Sequence, residues 1–292
     1  MSETLERLQR KVGTARELKS VVRTMKAIAL SSIVQYEQAV RSLAGYYRAV
    51  ELSLTACFRG AAQPATRSEK PSNRSVLAIV FGSDQGLVGQ FNEHAVSLAA
   101  GELARSQGRK VVWAVGERCH ETLQELGNPA SRLYAVPNSV QAITPLVSQI
   151  LVDTEALHDR SEKIYLFYNQ PKSRVAYEPV KERLIPLDDQ WRRDLSRIQW
   201  PTKMLPQVVG PPELTITALI HEYLFVSLFR ACAESLASEN ASRLAAMQRA
   251  QRSIEDLLER LQTAFHQKRQ AAIDEELFEV VSGFEALANP AS

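Results

Sequence analysis

The stretch ELTITALIHEYLFVSLFRACAESLASENASRLAAMQRAQRSIEDLLERLQTAFHQKRQAAIDEELFEVVSGFEAL, Glu213 to Leu287, follows Pro211-Pro212 and contains no further proline. Its only glycine is Gly283. As one helix at about 1.5 Å per residue it would run roughly 110 Å, several times an ordinary globular helix. Leu244, Met247, Ala250, Ile254, Leu257, Leu261 and Ala264 keep the three-four spacing of a coiled-coil seam, with one slip at Ala250. Alanine at many of these positions lets a partner helix approach closely. A helix of this length needs a partner nearly as long.

Residues 3–58 supply it. Leu5, Leu8, Val12 and Ala15 keep the same spacing. After one short step, Leu18, Val22, Met25, Ala29, Ser32, Tyr36, Ala39, Leu43, Tyr46 and Val50 keep it again. Residues 1–50 carry nine basic side chains against four acidic, and residues 251–292 carry four basic against eight acidic. The two ends attract, which favours an antiparallel pair with Leu5–Met25 beside the final three turns before Leu287. A basic helix lying on DNA or a membrane surface is the competing reading of residues 3–58. The long apolar stripe, matched by a second one, argues against it.

Between the helices the rhythm changes. Residues 60–75 have the composition of a linker. Val76 to Phe81 is a continuous apolar run ending at Gly82, the pattern of a strand buried on both faces. Helices are expected over Asn92–Gln107, Glu117–Leu126 and Ser139–Leu157, and strands over Lys110–Val115, Arg132–Val136 and Ile164–Tyr168. Arg174–Leu187 reads as a ribbon or edge strand. The alternation implies a mostly parallel sheet. The fold class is therefore α/β plus coiled coil: long antiparallel N- and C-terminal helices with an inserted Rossmann-like α/β domain. The expected boundaries are 1–60, 75–200 and 211–288.

Composition excludes several function classes. The net charge of +2 is no bulk nucleic-acid signature. Cys57, Cys119 and Cys232 are far apart and form no CxxC, which suits buried thiols in a reducing compartment. No unbroken apolar run approaches 18 residues, so no transmembrane helix is expected. Residues 1–30 lack an apolar signal core, and Glu3 and Glu6 argue against a transit peptide.

Gly82 to Asn92 follows the first strand and opens a helix, where a dinucleotide fingerprint would sit. Asp84 stands where its second glycine belongs, and no Gly-Lys-Ser/Thr follows, so a tight turn capped by Asn92 is expected, with no nucleotide and no other cofactor. His221-Glu222 begins like a zinc motif, but Phe225 occupies the second histidine position. No serine, histidine and carboxylate assemble locally, and no catalytic residue is expected.

Three stretches resemble the gamma subunit of F-type ATP synthases. They are KVGTARELKSVVRTMKAIA (Lys11 to Ala29), SDQGLVGQFN (Ser83 to Asn92) and LASENASRLAAM (Leu236 to Met247). Arg269-Gln270-Ala271-Ala272-Ile273, Glu276-Leu277 and Val281-Ser282-Gly283 extend the last of these. The chain departs from the family pattern at Gln85 (Arg), Val88 (Cys), Gln90 (Gly) and Asp274 (Thr), as a divergent branch such as the alternate, N-type bacterial F-type ATPases would.

The resemblance implies a rotor shaft, peripheral to the cytoplasmic face of the bacterial plasma membrane. Its partners would be the alpha and beta subunits of the catalytic hexamer, the epsilon subunit and the c-subunit ring, with no nucleic acid. By motif position, Met25, Lys26, Arg243, Gln270 and Asp274 would meet the hexamer, Arg243 through an outward-pointing guanidinium. Within the loop from Gln170 to Pro179, Gln170, Lys172, Arg174 and Tyr177 would form the foot on the c-ring. An α/β enzyme on a coiled-coil oligomerisation stalk, and a scaffold with no motor, are the alternatives from other classes.

Overall fold

The computed structural model describes residues 4–60, 75–106, 108–156, 163–172, 176–187, 191, 193, 195, 197–204 and 209–288. Its elements in chain order are α1 (Leu5–Gly60), β1 (Val76–Phe81), α2 (Phe91–Arg105), β2 (Lys110–Val115), α3 (Glu117–Glu125), β3 (Arg132–Tyr134), α4 (Ile143–Glu155), β4 (Lys163–Pro171), β5 (Tyr177–Ile185) and α5 (Pro212–Ala288). The linker expected at 60–75 falls almost wholly outside the described residues. Pro212 opens α5, where a missing N–H costs nothing because the first turn has no acceptor for it. The chain divides into two compact units, Met1–Ile28 with Leu244–Ser292, and Ala29–Arg243. The boundaries therefore fall inside the long helices rather than at residues 60 and 211.

In the unit Ala29–Arg243 the strand order is β3-β2-β1-β4-β5. β1 pairs in parallel with β2 and β4, and β2 with β3, while β5 returns antiparallel beside β4. Every residue of β1 is buried, because its alternate side chains enter two different cores. Val76, Ala78 and Val80 join Ala95, Ala99, Leu103 and Leu123 from α2 and α3. Leu77, Ile79 and Phe81 join α4, Tyr36 of α1, and Leu228, Ala231, Cys232, Leu236 and Ala237 of α5. The second core is why α5 belongs to this unit: the helix forms a layer on the sheet. It also explains why a window of α5, within Glu213–Ser282, is apolar and long enough by composition to cross a membrane, contrary to expectation. Of that window 39% is buried inside the fold.

Several boundaries move for local reasons. α4 starts at Ile143 rather than Ser139, because Ser139 makes a turn whose carbonyl and hydroxyl oxygens both accept from Ala142 N–H. Pro145 then sits in the first helical turn, where it is tolerated. β3 ends at Tyr134 because Val136 N–H leaves the ladder and donates to Asp84. α2 starts at Phe91, so Asn92 lies inside the helix and does not cap it.

In the unit Met1–Ile28 with Leu244–Ser292, α1 and α5 run antiparallel. Lys19 Nζ lies 2.9 Å from Glu255 Oε1, and Lys26 Nζ donates to Gln251 Oε1 at 2.7 Å. Gln251 Nε2 donates onward to Glu255 Oε1 at 3.1 Å. The buried or half-buried positions of α1 ahead of Ala29 are Leu5, Leu8, Val12, Ala15, Lys19, Val22, Met25 and Lys26, a heptad stripe that includes two lysines. Those of α5 from Met247 to Phe265 are Met247, Ala250, Gln251, Ile254, Glu255, Leu258, Leu261, Ala264 and Phe265. Met25, Ala250 and Ala264 are half-buried as expected, and Lys19, Lys26 and Gln251 share the stripe with them. Following apolar residues alone passes over these three polar positions. Leu18 and Leu257, placed in the seam by that reading, are instead 51% and 46% exposed.

The register differs too. Gln9, Val12 and Arg16 line a notch with Gln262, Phe265 and His266. The final turns of α5 are not beside Leu5–Met25, and Leu277, Phe278 and Val280 are exposed. The polar pairs fix this register, since sliding one helix by a heptad would leave Lys26 and Gln251 facing apolar side chains. We predict that a Lys19→Cys, Glu255→Cys double variant forms a disulfide under mild oxidation and a Leu18→Cys, Leu257→Cys variant does not. Non-reducing electrophoresis reads the result, and the opposite pattern would refute this seam.

Candidate functional site

The turn after β1 and the middle of α5 meet within the unit Ala29–Arg243. Gly82 can carry no side chain, as a Cβ there would lie 2.4 Å from Cys119 Cβ and 2.5 Å from Asn92 Oδ1. That close approach lets Asn92 reach back. Its Oδ1 accepts from Ser83 N–H at 2.9 Å, and its Nδ2 donates to Ser83 Oγ at 2.9 Å. Gly116 holds φ +108°, and a Cβ on it would sit 2.6 Å from Ser83 O, so α3 starts directly against the turn.

Asp84 occupies the place where a dinucleotide's phosphates would need glycine. Its Oδ1 accepts from Glu117 N–H and its Oδ2 from Val136 N–H, each at 3.0 Å. One carboxylate thus serves the N-terminus of α3, where negative charge is favoured, and ties down the strand-end after β3. Its function is to brace three segments of the sheet's C-terminal edge.

The turn then curls so that Val88 is buried and Leu87 exposed. Ser242 Oγ of α5 donates to Val88 O. From Glu234 to Ser242 every residue of α5 is buried, including Glu234, Ser235, Ser238, Glu239, Asn240 and Ser242. The small hydroxyl and alanine side chains admit the turn and α1 at close range. Asn240 Nδ2 donates back to Leu236 O one turn earlier in its own helix at 2.8 Å.

Arg243 does not point outward. Its Nη2 donates to Glu239 Oε1 at 2.6 Å, the intrahelical pair one turn back, and its side chain is 19% exposed. Glu239 sits at 6% side-chain exposure. Burial pushes its carboxyl up, Arg243 opposes this, and the charge of Asp84 adds to the rise. Burial, with Glu239 second, also raises the Tyr36 hydroxyl to about 12. A heptad count on Leu244 and Met247 misplaced Arg243 because the helix there is enclosed on all sides, not on one seam.

The other expected contact residues separate. Met25 and Lys26 are half-buried in the helix pair, with Lys26 committed to Gln251. Gln270 and Asp274 are exposed. On the β4–β5 hairpin the strand register brings Gln170 opposite Glu178 and Pro171 opposite Tyr177. Lys172 is exposed and paired with Glu178 at 2.8 Å. Tyr177 packs its ring edge against Phe91 at 5.6 Å, and Gln170 is half-buried. Arg174 lies outside the described residues. Among the described residues no three His, Cys, Asp or Glu side chains form a metal-holding group.

The Arg243–Glu239 pair is the i−4 alternative that the sequence also allows, whereas Ser242 as a packing determinant and Lys19, Gln251 and Glu255 as seam residues are not picked out by it. For the last three, polar residues recurring at heptad spacing were the available signal.

Two measurements test this site. Asp84→Ala should cost about 1–2 kcal/mol in urea denaturation, the price of two backbone donors losing a charged acceptor, with helix content by circular dichroism unchanged. For Glu239 the sign follows from its raised folded value. The folded chain holds a proton that the unfolded chain has released, so stability falls as pH rises from the ordinary glutamate range through the folded value. Glu239→Gln lacks this loss, so its stability relative to the native chain should increase from pH 4 to pH 8. A difference independent of pH would contradict the assignment.

A family model described as ATP synthase matches residues 4–287. The chain is 28% identical over 305 residues to the ATP synthase gamma chain of Parafrankia sp., covering 100% of both chains. It is 27% identical over 305 residues to that of Nocardioides sp., covering 99% of this chain and 98% of the relative. Among solved structures it is similar to a chain of the Euglena gracilis mitochondrial ATP synthase rotor, with TM-score 0.61 and 15% identity over 92% of this chain and 98% of that one. A chain of the Tetrahymena thermophila mitochondrial ATP synthase central stalk and c-ring gives TM-score 0.55 and 18% identity, covering 79% and 99%.

Proposed function

We propose that this chain, which belongs to the ATP synthase family and is a gamma subunit of its central stalk, is a non-catalytic torque shaft. It couples ion flow through a membrane ring of c subunits to ATP synthesis or hydrolysis in a hexamer of alpha and beta subunits. The observation that carries the non-catalytic part is Asp84. Its two oxygens are spent on backbone donors of α3 and the β3 end, at the sheet edge where an α/β enzyme would bind its nucleotide. The same geometry argues against the enzyme alternative.

Torque requires that the two helices keep register under load. The Lys26–Gln251 and Lys19–Glu255 contacts supply this between α1 and α5. The Ser242–Val88 bond and the enclosed stretch Glu234–Ser242 hold α5 in the α/β unit. The subunit works on the cytoplasmic face of the bacterial plasma membrane and reaches the membrane through its partners, the epsilon subunit and the c-ring.

Gln270 and Asp274, both exposed, are hexamer contacts, with Met25 and Lys26 on the facing helix and Arg243 below them in sequence order. Arg243 retains guanidinium donors beyond the one given to Glu239, and these serve a beta subunit. The end of the β4–β5 hairpin, with Gln170, Lys172, Arg174 and Tyr177, is the foot on the c-ring; exposed Lys172 is its leading contact.

Co-expression with the alpha and beta subunits of the same organism should yield a complex that hydrolyses ATP. In it, Gln270→Ala with Asp274→Ala should lower turnover several-fold while assembly and helix content stay unchanged. Equal turnover would remove these two residues from the contact set. Failure to co-purify would overturn the shaft reading itself.

A further inference from the structure

In the unit Met1–Ile28 with Leu244–Ser292, a notch of about 350 Å³ opens on one side of the helix pair. Lys19, Arg23 and Lys26 of α1 line one bank, and Gln251 and Glu255 of α5 line the other. The three cations stand at i, i+4 and i+7, so they share one face of α1 within two turns. Like charges at this spacing repel one another, and a single carboxylate is present to offset all three.

The contacts inside the notch leave two of the cations without a counter-charge. Glu255 serves Lys19, whose Nζ lies 2.9 Å from its Oε1. Lys26, half-buried, gives one N–H to the neutral amide oxygen of Gln251 at 2.7 Å, and Gln251 turns its own Nε2 to Glu255. A half-buried ammonium that faces only a neutral amide lacks an opposite charge to offset its lost hydration. Arg23 is exposed and meets no partner among the described residues. Lys26 therefore keeps two donors and Arg23 all five. The bond from Lys19 first, then that from Gln251, holds the Glu255 carboxyl below its ordinary range, and the charges of Lys19 and Lys26 add to this, as a net positive field in the notch requires.

We propose that this notch is a binding site for a phosphate dianion. Arg23 would present its planar fork to two phosphate oxygens, and Lys26, with Lys19 beside it, would give ammonium donors to a third. Two charges on the ligand match the two cations that the chain leaves uncompensated. A carboxylate carries one charge and would leave the other cation unmet. Every residue lining the notch is polar or charged, which suits a compact oxyanion better than a ligand with an apolar body. Free inorganic phosphate and the terminal phosphate of a nucleotide both present this group. The proposal goes beyond the torque-shaft reading and does not rest on it.

The full chain is titrated with inorganic phosphate at pH 8, where the dianion dominates, with ionic strength held constant by sodium chloride and binding followed by phosphorus NMR. One saturable site is expected. Its affinity should fall about ten-fold in Arg23→Gln and in Lys26→Gln, the loss of one charge-assisted contact. Arg23 is exposed and lies outside the seam, so its replacement leaves the helix pair intact. Glu255→Gln removes the one opposing charge and should tighten binding several-fold. Arg10→Gln removes an equal charge from the same helix, about 13 Å along it from Lys19 and beyond the screening length of about 8 Å at physiological salt, and should change nothing. Acetate should bind about ten-fold more weakly than phosphate. ADP is then added to the phosphate-loaded chain. Displacement of phosphate assigns the site to any terminal phosphate, and its retention assigns the site to the free ion. The proposal is overturned by the absence of saturable phosphate binding, by binding that Arg23→Gln and Lys26→Gln leave unchanged, by an equal loss in Arg10→Gln, or by acetate binding as tightly as phosphate.

Discussion

Enclosure of a polar helical segment is the constraint on which the unit Ala29–Arg243 rests. From Glu234 to Ser242, α5 is buried on every side although it carries two glutamates, an asparagine and three serines. A buried polar group left without a partner costs about 1–3 kcal/mol, whereas each satisfied one returns only about 1 kcal/mol. In this segment Glu239 is met by Arg243, Asn240 by Leu236 O and Ser242 by Val88 O, while Ser235 Oγ, Ser238 Oγ and one carboxylate oxygen each of Glu234 and Glu239 have no partner among the described residues. Of these contacts, only the Ser242–Val88 bond reaches another segment, so rotating or sliding α5 by one residue breaks that bond, whereas the Glu239–Arg243 and Asn240–Leu236 contacts travel with the helix. A purely apolar helix would pack at least as strongly but would tolerate neighbouring registers.

The turn that receives Ser242 is held with the same economy. Gly82 and Gly116 remove the side chains that would separate Ser83, Asn92 and the start of α3. Asp84 then spans the gap to α3 and the β3 end with one carboxylate. In many α/β folds this edge of the sheet is open and binds a ligand. Here the chain's own side chains fill it, which turns a potential binding crevice into a rigid mount for the helix.

The helix pair in the other unit applies a related rule at lower cost. Lys19, Lys26, Gln251 and Glu255 interrupt an otherwise apolar seam and satisfy one another across it. Each exposed or half-exposed contact is weak, at most about 1 kcal/mol. Their value lies in discrimination, because the wrong register strands a charge against an apolar surface. The depressed Glu255 carboxyl, held down first by Lys19, fits a group that is kept ionised for this pairing. In both units, polar residues set alignment while apolar burial supplies most of the stability.

The sequence alone determined the two long helices, their antiparallel sense, the order of strands and helices between them, and the family. These follow from local signals: proline-free length, three-four spacing, an apolar run ending in glycine, and the SDQGLVGQFN and LASENASRLAAM motifs. Tertiary structure decided what each residue faces. Periodicity treats apolar side chains as the markers of a seam, so it stepped over Lys19, Lys26 and Gln251 and put Leu18 and Leu257 inside. It counted Arg243 as a surface position because nothing local records that the sheet, α1 and the turn at Val88 close around α5 together. Asn92 read as a cap for the same reason; its real partner, Ser83, is brought near only by the absence of a side chain at Gly82. Spacing along a chain reports one helix face at a time, whereas burial on all faces depends on segments distant in sequence, and that is why the alignment-setting polar residues became visible only in the folded chain.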